Sequence, residues 1–334
     1  MNRRVGIRDV AQHAGVSIAT VSNVLNRPDR VSDELRERVS ESADELGYVP
    51  MPAARALRAG NSGLIGLTVI NVANPFYGSL IAGAESAAAT AGMRVFAGNI
   101  DDDAQQERDH LGLFDQLQVE GALISPFADT RAAVRGLRGH GIPVVLVDAE
   151  DEDGQLSSVS FDNRAAAAMA ARHVIELGRR RVLFAGSRRE VSQVRAREAG
   201  ARDAVEAAGL TLVAERLPTT DPISGLAFGA RLIAMEPDDR PDAVLCSNDH
   251  LAAGVVRALT SAGVRVPEDI AVVGYDDTPL AQVAAVPLTT VRQPAFEMGH
   301  SAAQMLIARI RDPHLARETV VFAPELVVRA STTG

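Results

Sequence analysis

The sequence predicts an α/β protein: a small N-terminal helix-turn-helix head of three helices, followed by a core of doubly wound parallel sheets. Three observations predict it. Residues 7–46 repeat apolar side chains at helical spacing with glycine stops between them. Residues 64–274 alternate strand-length apolar runs with helix-like segments. The chain has 334 residues, 46% of them apolar, which is enough for two or three domains with their own cores and excludes disorder as the default.

In the head, Ile7, Val10, Ala11 and Ala14 fall on one helical face, and Gly15 stops the helix. Ser17 is placed to cap a second helix that runs through Leu25, and two short helices joined by a tight glycine turn make a helix-turn-helix. At about 100° per residue, Val21, Val24 and Leu25 share the buried face. Ala19, Asn23 and Asn26 then project outward, with Thr20 and Ser22 on the flanks and Ser17 and Ile18 at the helix start. Short polar and methyl-bearing groups on such a face suit a DNA major groove, where the Asn23 amide could bond adenine in bidentate fashion. Ser32 is the expected cap of a third helix, whose first turn carries Asp33 and Glu34 at the positive end of its dipole. Leu35, Val39, Ala43 and Leu46 repeat along it, and Gly47 ends it. The alternative is a small bundle with no nucleic-acid role.

The net charge of −9 fits a DNA-binding chain only once it is divided. Residues 1–60 hold nine arginines against eight acids, a net of +1, which leaves 25 arginines against 35 acids, or −10, for the rest. Arg3, Arg4, Arg8, Arg27, Arg30, Arg55 and Arg58 are the candidate phosphate contacts. All 34 basic residues are arginine, so Schiff-base chemistry and a P-loop lysine are excluded. Cys246 is the single cysteine, which forbids an intrachain disulfide and points to the cytoplasm. No window approaches a membrane span, and the N-terminus shows no apolar signal region, so no membrane partner is expected.

Beyond Gly60, strand-like runs fall at Leu64–Ile70, Arg94–Gly98, Gly121–Ser125, Val144–Val147, Val182–Ala185, Ala243–Cys246 and Ile270–Gly274. Helix-like segments separate them near 76–91, 104–118, 130–139, 163–177, 194–208, 224–235 and 249–262. Strands buried on both faces and spaced in this way make parallel sheets, and the length suffices for two. Ligands of open α/β sheets bind outside the carboxyl ends of the strands. There stand Asn71, Asn74, Phe76 and Tyr77, then Ser125, Asp148, Ser187, Arg195, Arg197, Asn248, Asp249, Asp276 and Asp277. Aromatic faces for a ring and charged groups for hydroxyls are carbohydrate chemistry. For each polar residue the plainer reading is a helix cap or solvated loop, and Phe76 or Tyr77 could be core. Asp101-Asp-Asp103 reads as a solvated acidic loop.

Val10-Ala-Gln-His-Ala-Gly-Val-Ser-Ile-Ala-Thr-Val-Ser-Asn-Val-Leu-Asn26, then Val31-Ser32, Leu46-Gly-Tyr-Val-Pro50 and Ala54-Arg-Ala-Leu57, resemble the start of a LacI/GalR-family transcription regulator. The resemblance runs on through the chain. It implies a DNA-binding domain over 1–50, a hinge helix over 51–60, and a periplasmic-binding-protein-like core over 61–334. In that core, lobe 1 covers about 61–161 and 293–320, and lobe 2 about 162–292 and 321–331. A short helix behind Pro52 is marginal alone, and the resemblance implies that it pairs with its dimer mate and wedges Leu57 into the minor groove. Leu57 packing only on protein is the alternative. Met51 stands where the family often has Asn, and Asn23 where many relatives have Arg.

The resemblance also makes Asn74-Pro-Phe-Tyr77 the effector-contacting turn and places Cys246-Ser-Asn-Asp249 and Val273-Gly-Tyr-Asp-Asp277 at the strand ends of lobe 2. Pro287-Leu-Thr-Thr-Val-Arg-Gln293 resembles the last crossover, from which Gln293 reaches the cleft. Arg197-Glu-Ala-Gly200 fits the arginine motif, but Ala201 replaces the usual aromatic, so either Arg195 or Arg197 faces the ligand.

The expected protein is a repressor of double-stranded, pseudo-palindromic operator DNA, controlled by a small effector, a sugar or sugar derivative, with no cofactor and no metal. A nucleobase, nucleoside or phosphoprotein partner is the alternative. No H-E-x-x-H, G-x-S-x-G, G-x-G-x-x-G or P-loop pattern occurs, so an enzyme is not expected. An exported solute-binding protein lacks a reason for the DNA-reading head. No heptad follows the last strand, so a C2 homodimer is expected rather than a tetramer.

Overall fold

The computed structural model describes residues 5–26, 30–48, 62–127, 130–151, 153–187 and 191–333. The chain forms two compact units, Met1–Ser62 and Gly63–Gly334. The first unit holds helices α1 (Ile7–His13), α2 (Ile18–Asn26) and α3 (Asp33–Glu45). Asp9 accepts from the Gly6 N–H at 2.8 Å, and Ser17 Oγ accepts from the Thr20 N–H at 3.0 Å, so both early helices begin on side-chain caps. Gly15 and Gly47 end their helices at φ 63° and 60°, where a Cβ would be strained. Ser32 takes the N-cap position of α3 but makes no side-chain cap bond. Val10, Ala11, Ala14, Val21, Val24, Val39 and Ala43 form the core of this unit.

The second unit contains two six-stranded sheets. The first joins β1 (Leu64–Val69), β2 (Arg94–Asn99), β3 (Gly121–Ile124), β4 (Val144–Val147), β5 (Ser157–Phe161) and β11 (Thr319–Phe322), all parallel, in the order β11-β5-β4-β3-β1-β2. The second joins β6 (Val182–Gly186), β7 (Val213–Arg216), β8 (Ala243–Cys246), β9 (Ala271–Asp276), β10 (Thr289–Arg292) and β12 (Glu325–Val327), in the order β12-β10-β9-β8-β6-β7. Its edge strand β12 runs antiparallel to β10, so this sheet is mixed rather than wholly parallel.

Strands β5, β7, β10 and β11 are absent from the strand-like runs of the sequence, and β12 takes the place of the expected last strand. The edge strand β7 is only part-buried, and β5 and β10 spend Ser and Thr on buried positions, so none shows an apolar run. The chain passes between the sheets three times, at 162, at 293–294 and at 323–324. The last passage comes after Phe322, slightly later than the expected change of lobe at 320.

Helices α4 (Pro75–Thr90), α5 (Ala104–Gln116), α6 (Arg131–Gly139) and α12 (Ala295–Arg311) accompany the first sheet. Helices α7 (Asn163–Glu176), α8 (Ser192–Ala207), α9 (Pro222–Ile233), α10 (Asp249–Ser261) and α11 (Pro279–Val283) accompany the second. Helix α12, which follows the second passage, locks onto α4 through two glycines. A Cβ on Gly83 would collide with the Phe296 carbonyl, and one on Gly299 with the Leu80 carbonyl. Among the described residues, no helix is long and apolar enough to cross a membrane.

Candidate functional site

The exposed face of α2 matches the helical-wheel reading: Val21 and Val24 are buried, while Ser17, Ile18, Ala19 and Asn23 are exposed and Thr20 and Ser22 half-buried. Arg30 is exposed. The expectations for Arg27, Arg55, Leu57 and the hinge over 51–60 lie outside the described residues, as does the Asn26 side chain.

In the second unit the loops at the carboxyl ends of both sheets enclose a cavity of about 510 Å³. The first sheet contributes Asn71, Asn74, Phe76 and Tyr77 after β1, Asp101 and Asp102 after β2, Phe127 after β3 and Asp148 after β4. The second contributes Ser187, Gln193, Arg197, Thr219, Thr220, Asp221, Ser247, Asn248, His250 and Asp276. Among the described residues, five aspartates therefore line the cavity against one arginine.

Asn74 caps α4, where its Oδ1 accepts from the Phe76 N–H at 3.0 Å and its Nδ2 donates to Asp276 Oδ2 at 2.8 Å. Phe76 and Tyr77 meet edge to face at 5.0 Å and present a mostly buried aromatic wall. Asp148 sits at φ 57° and is almost wholly buried. Gln193 Nε2 donates to its carbonyl at 2.7 Å and to its Oδ2 at 3.1 Å, while Oδ1 has no partner among the described residues. Burial pushes the Asp148 carboxyl up to about 7, with Asp276 adding to the rise and Arg197 opposing it. The pairs Asn74–Asp276 and Gln193–Asp148 each join one sheet's loops to the other's.

Arg197 is buried, with its guanidinium 3.6 Å from the Tyr275 ring centroid. Its Nε donates to Asn163 Oδ1 at 2.7 Å and its Nη1 to the Ser247 carbonyl at 2.6 Å, and Asp276 Oδ1 lies 3.8 Å away. Burial works against its charge, but Tyr275, Asp276 and Asp148 outweigh it and hold the pKa above the ordinary value. Burial likewise raises the Asp276 carboxyl. Asn248 caps α10 through the Leu251 N–H at 2.8 Å and donates to Thr220 Oγ1 at 3.0 Å.

Five expected residues stand elsewhere. Arg195 is exposed and away from this cavity, because two residues along a helix turn a side chain by about 200° from Arg197. Asp249 is fully buried off the cavity. It accepts from the Thr278 N–H at 2.7 Å, Thr278 Oγ1 at 3.0 Å and Thr290 Oγ1 at 2.6 Å, which fastens α10 to the ends of β9 and β10. A Cβ on Gly274 would strike its carboxylate, so the glycine makes room for it. Ser125 is buried below the lining. Gln293 lies behind Asp276, donating to its Oδ1 at 2.6 Å, and lines a smaller cavity with Pro75, Phe76 and Phe296. Asp276 thus lines the cavity with both oxygens already accepting one bond from the protein. Asp277 turns to Arg292 at 2.8 Å and Arg329 at 2.7 Å.

The sequence reading also missed Gln193, Asn163, Thr219–Asp221 and the pair Asp101–Asp102. Gln193 had a usable signal: it lies one turn before Arg197 on the buried stripe of α8. Asp101, Asp102 and Asp103 are exposed, as a solvated loop requires; Asp101 and Asp102 also line the cavity, and Asp103 caps α5 through the Gln105 N–H at 2.7 Å.

Residues 6–51 match the bacterial regulatory proteins of the lacI family, and residues 171–332 match a periplasmic binding protein-like domain. A transcriptional repressor named PurR from Photobacterium profundum is 32% identical over 97% of this chain and 98% of its own length. The ribose operon repressor of Escherichia coli is 33% identical over 97% and 99%. Among solved structures, a lac repressor dimer bound to operator and an anti-inducer has a TM-score of 0.83 at 27% identity, covering 99% of this chain and 100% of that one. A ribose-bound regulator from Enterococcus faecium has a TM-score of 0.74 at 26% identity, covering 80% and 98%.

Proposed function

The chain belongs to the LacI family of bacterial regulatory proteins as a DNA-binding transcriptional repressor, and from that premise we propose that a neutral polyhydroxyl effector, a sugar, sets its operator affinity. The observation that carries the effector class is the cavity's polarity. A buried carboxylate with one open oxygen, Asp148, shares the chamber with a fixed guanidinium, Arg197, and an aromatic wall, and among the described residues five aspartates line it against one arginine. The ribose operon repressor and the ribose-bound regulator support the same class.

Coupling requires that the ligand bind two arrangements of the lobes unequally. Asp148 and Phe76 belong to the first lobe and Arg197 to the second, so one sugar touching all three favours a single lobe arrangement. The three chain passages near 162, 293–294 and 323–324 are where a hinge can turn. Ala19 and Asn23 of α2 read base edges in the major groove, Arg30 and the other head arginines hold phosphate, and a C2 dimer in the cytoplasm presents two heads to related half-sites.

A thermal-shift screen of the full chain against ribose, cellobiose, ribose 5-phosphate and guanine tests this reading. A bound sugar at about 100 times its Kd adds about 2.7 kcal/mol, a rise of several degrees, and should alter operator affinity. Stabilisation by ribose 5-phosphate or guanine alone would overturn the neutral-sugar reading.

A further inference from the structure

A second cavity, of about 610 Å³, shares only Phe127 with the first among the described residues. It too spans both lobes, with residues between Pro126 and Leu156 on one side and Ser192 and Arg195 of α8 on the other. Among the described residues it carries four arginines against three acids. Arg131, Arg135 and Arg138 follow one another at i, i+4 and i+7 on α6, one stripe of that helix, and Arg195 faces them from α8. Arg131 leans on Asp153 at 3.8 Å, but Arg135, Arg138 and Arg195 have no acidic or hydrogen-bonding partner among the described residues. Of the acids that line it among the described residues, Asp151 is turned to the Leu156 N–H at 2.5 Å, which leaves Glu150 facing the guanidinium groups of Arg135, Arg138 and Arg195. Helix α8 begins at the same place, with Val191 at its N-cap and no side chain capping its first N–H groups. Between these groups lies an apolar floor of Val134, Leu146, Ala149 and Leu156.

We propose that this cavity binds a small phosphomonoester carried on an apolar ring, with nucleoside monophosphate chemistry, as a second ligand separate from the sugar effector. Guanidinium forks match phosphate oxygens in bidentate fashion, and the open end of α8 adds backbone donors to the same anion. The floor takes the ring, and Glu150 can accept from a ribose hydroxyl or ring amine. The volume exceeds what a bare phosphate fills and falls within the range of organic ligand sites. The proposal does not depend on the effector reading.

Calorimetric titration of the full chain with AMP and with phenyl phosphate, at low ionic strength, tests it. Saturable binding of at least one probe is expected, weakened about tenfold or more by Arg135→Glu, as follows from losing one charge-assisted pair and adding a repulsion. Arg135 is exposed, so the fold should tolerate the change, and a matched melting curve checks this. Arg257→Glu, an equal charge change on the exposed face of α10, should leave binding within about twofold, as expected for charges screened in solution. Absence of saturable binding by both probes up to about 10 mM, weaker than any affinity worth assigning, would overturn the proposal. Binding that Arg135→Glu and Arg257→Glu change equally would overturn it too.

Discussion

Asp148→Asn separates what the buried carboxylate costs the fold from what it gives the ligand. The position tolerates the change, because Asn adopts the left-handed conformation at φ 57° and its amide oxygen can still accept from Gln193. In the ligand-free protein, burial raises the Asp148 carboxyl from the ordinary value near 4 to about 7. A raised folded value means that the native state holds a proton which the unfolded chain has released. Stability contributed by this group is therefore full below about pH 4, falls as pH rises to about 7 and is flat above, a loss of up to about 4 kcal/mol. Asn carries no charge, so the variant should lose much less stability between pH 5 and pH 8 than the parent. Its extra N–H group, buried where Oδ1 was open, costs about 1–3 kcal/mol at either pH and cancels in that comparison.

For the ligand the sign reverses. A sugar hydroxyl donating to Oδ1 favours the ionised form, so affinity should climb up to about pH 7, and replacing the carboxylate removes about 1.5–3 kcal/mol, roughly 10- to 150-fold in Kd. Melting curves at pH 5 and 8, together with operator titrations by fluorescence anisotropy with and without ribose or whichever sugar stabilises the parent, measure both effects. Two results would refute the reasoning: an unchanged difference between the two pH values, or an unchanged sugar concentration for half response.

Asn23→Ala should weaken binding to the cognate operator by roughly 1–3 kcal/mol and binding to random DNA little, as filter or anisotropy titrations would show, whereas equal losses on both would reject base reading. Asp276→Ala removes the acceptor of Asn74 and Gln293 and the nearest carboxylate to buried Arg197, so the core should lose about 3–5 kcal/mol in denaturant titrations. The same variant should keep its operator affinity when folded but lose the response to sugar; a stable variant that still responds would show that Asp276 does not position these groups. Leu57→Ala should weaken operator binding without moving the melting temperature of the free protein, and a lowered melting temperature would make Leu57 a core residue instead.

The helical head was legible because its signals are local. Apolar positions three and four apart, glycine stops and a serine cap are complete within forty residues, and α2 turns the predicted face outward. The central strands were legible for the same reason, since burial on both faces leaves uninterrupted runs such as Val144–Val147. Strand β10 was hidden because tertiary partners satisfy its hydroxyls: Thr289 and Thr290 bond Arg329, Thr332 and Asp249, all distant in the chain. The strand-end rule likewise found the residues of the cavity without ranking them, because Asp148, Asp249 and Asp276 look alike in sequence.

What ranks them is how far the protein itself has already used each oxygen. Asp249 receives three donors, and its two neighbouring threonines leave it nothing to offer a ligand. Asp276 lines the cavity but already receives two amide donors and has the Arg197 guanidinium 3.8 Å away, so the protein has used more of it. Asp148 keeps an oxygen buried and open, and leaving a buried acceptor unmade is costly unless something else completes it. Among three aspartates at equivalent strand ends, the unsatisfied one is therefore the residue through which the proposed hydroxylated effector should gain most on binding. The Gln193 amide that bridges its remaining atoms ties that gain to the second lobe.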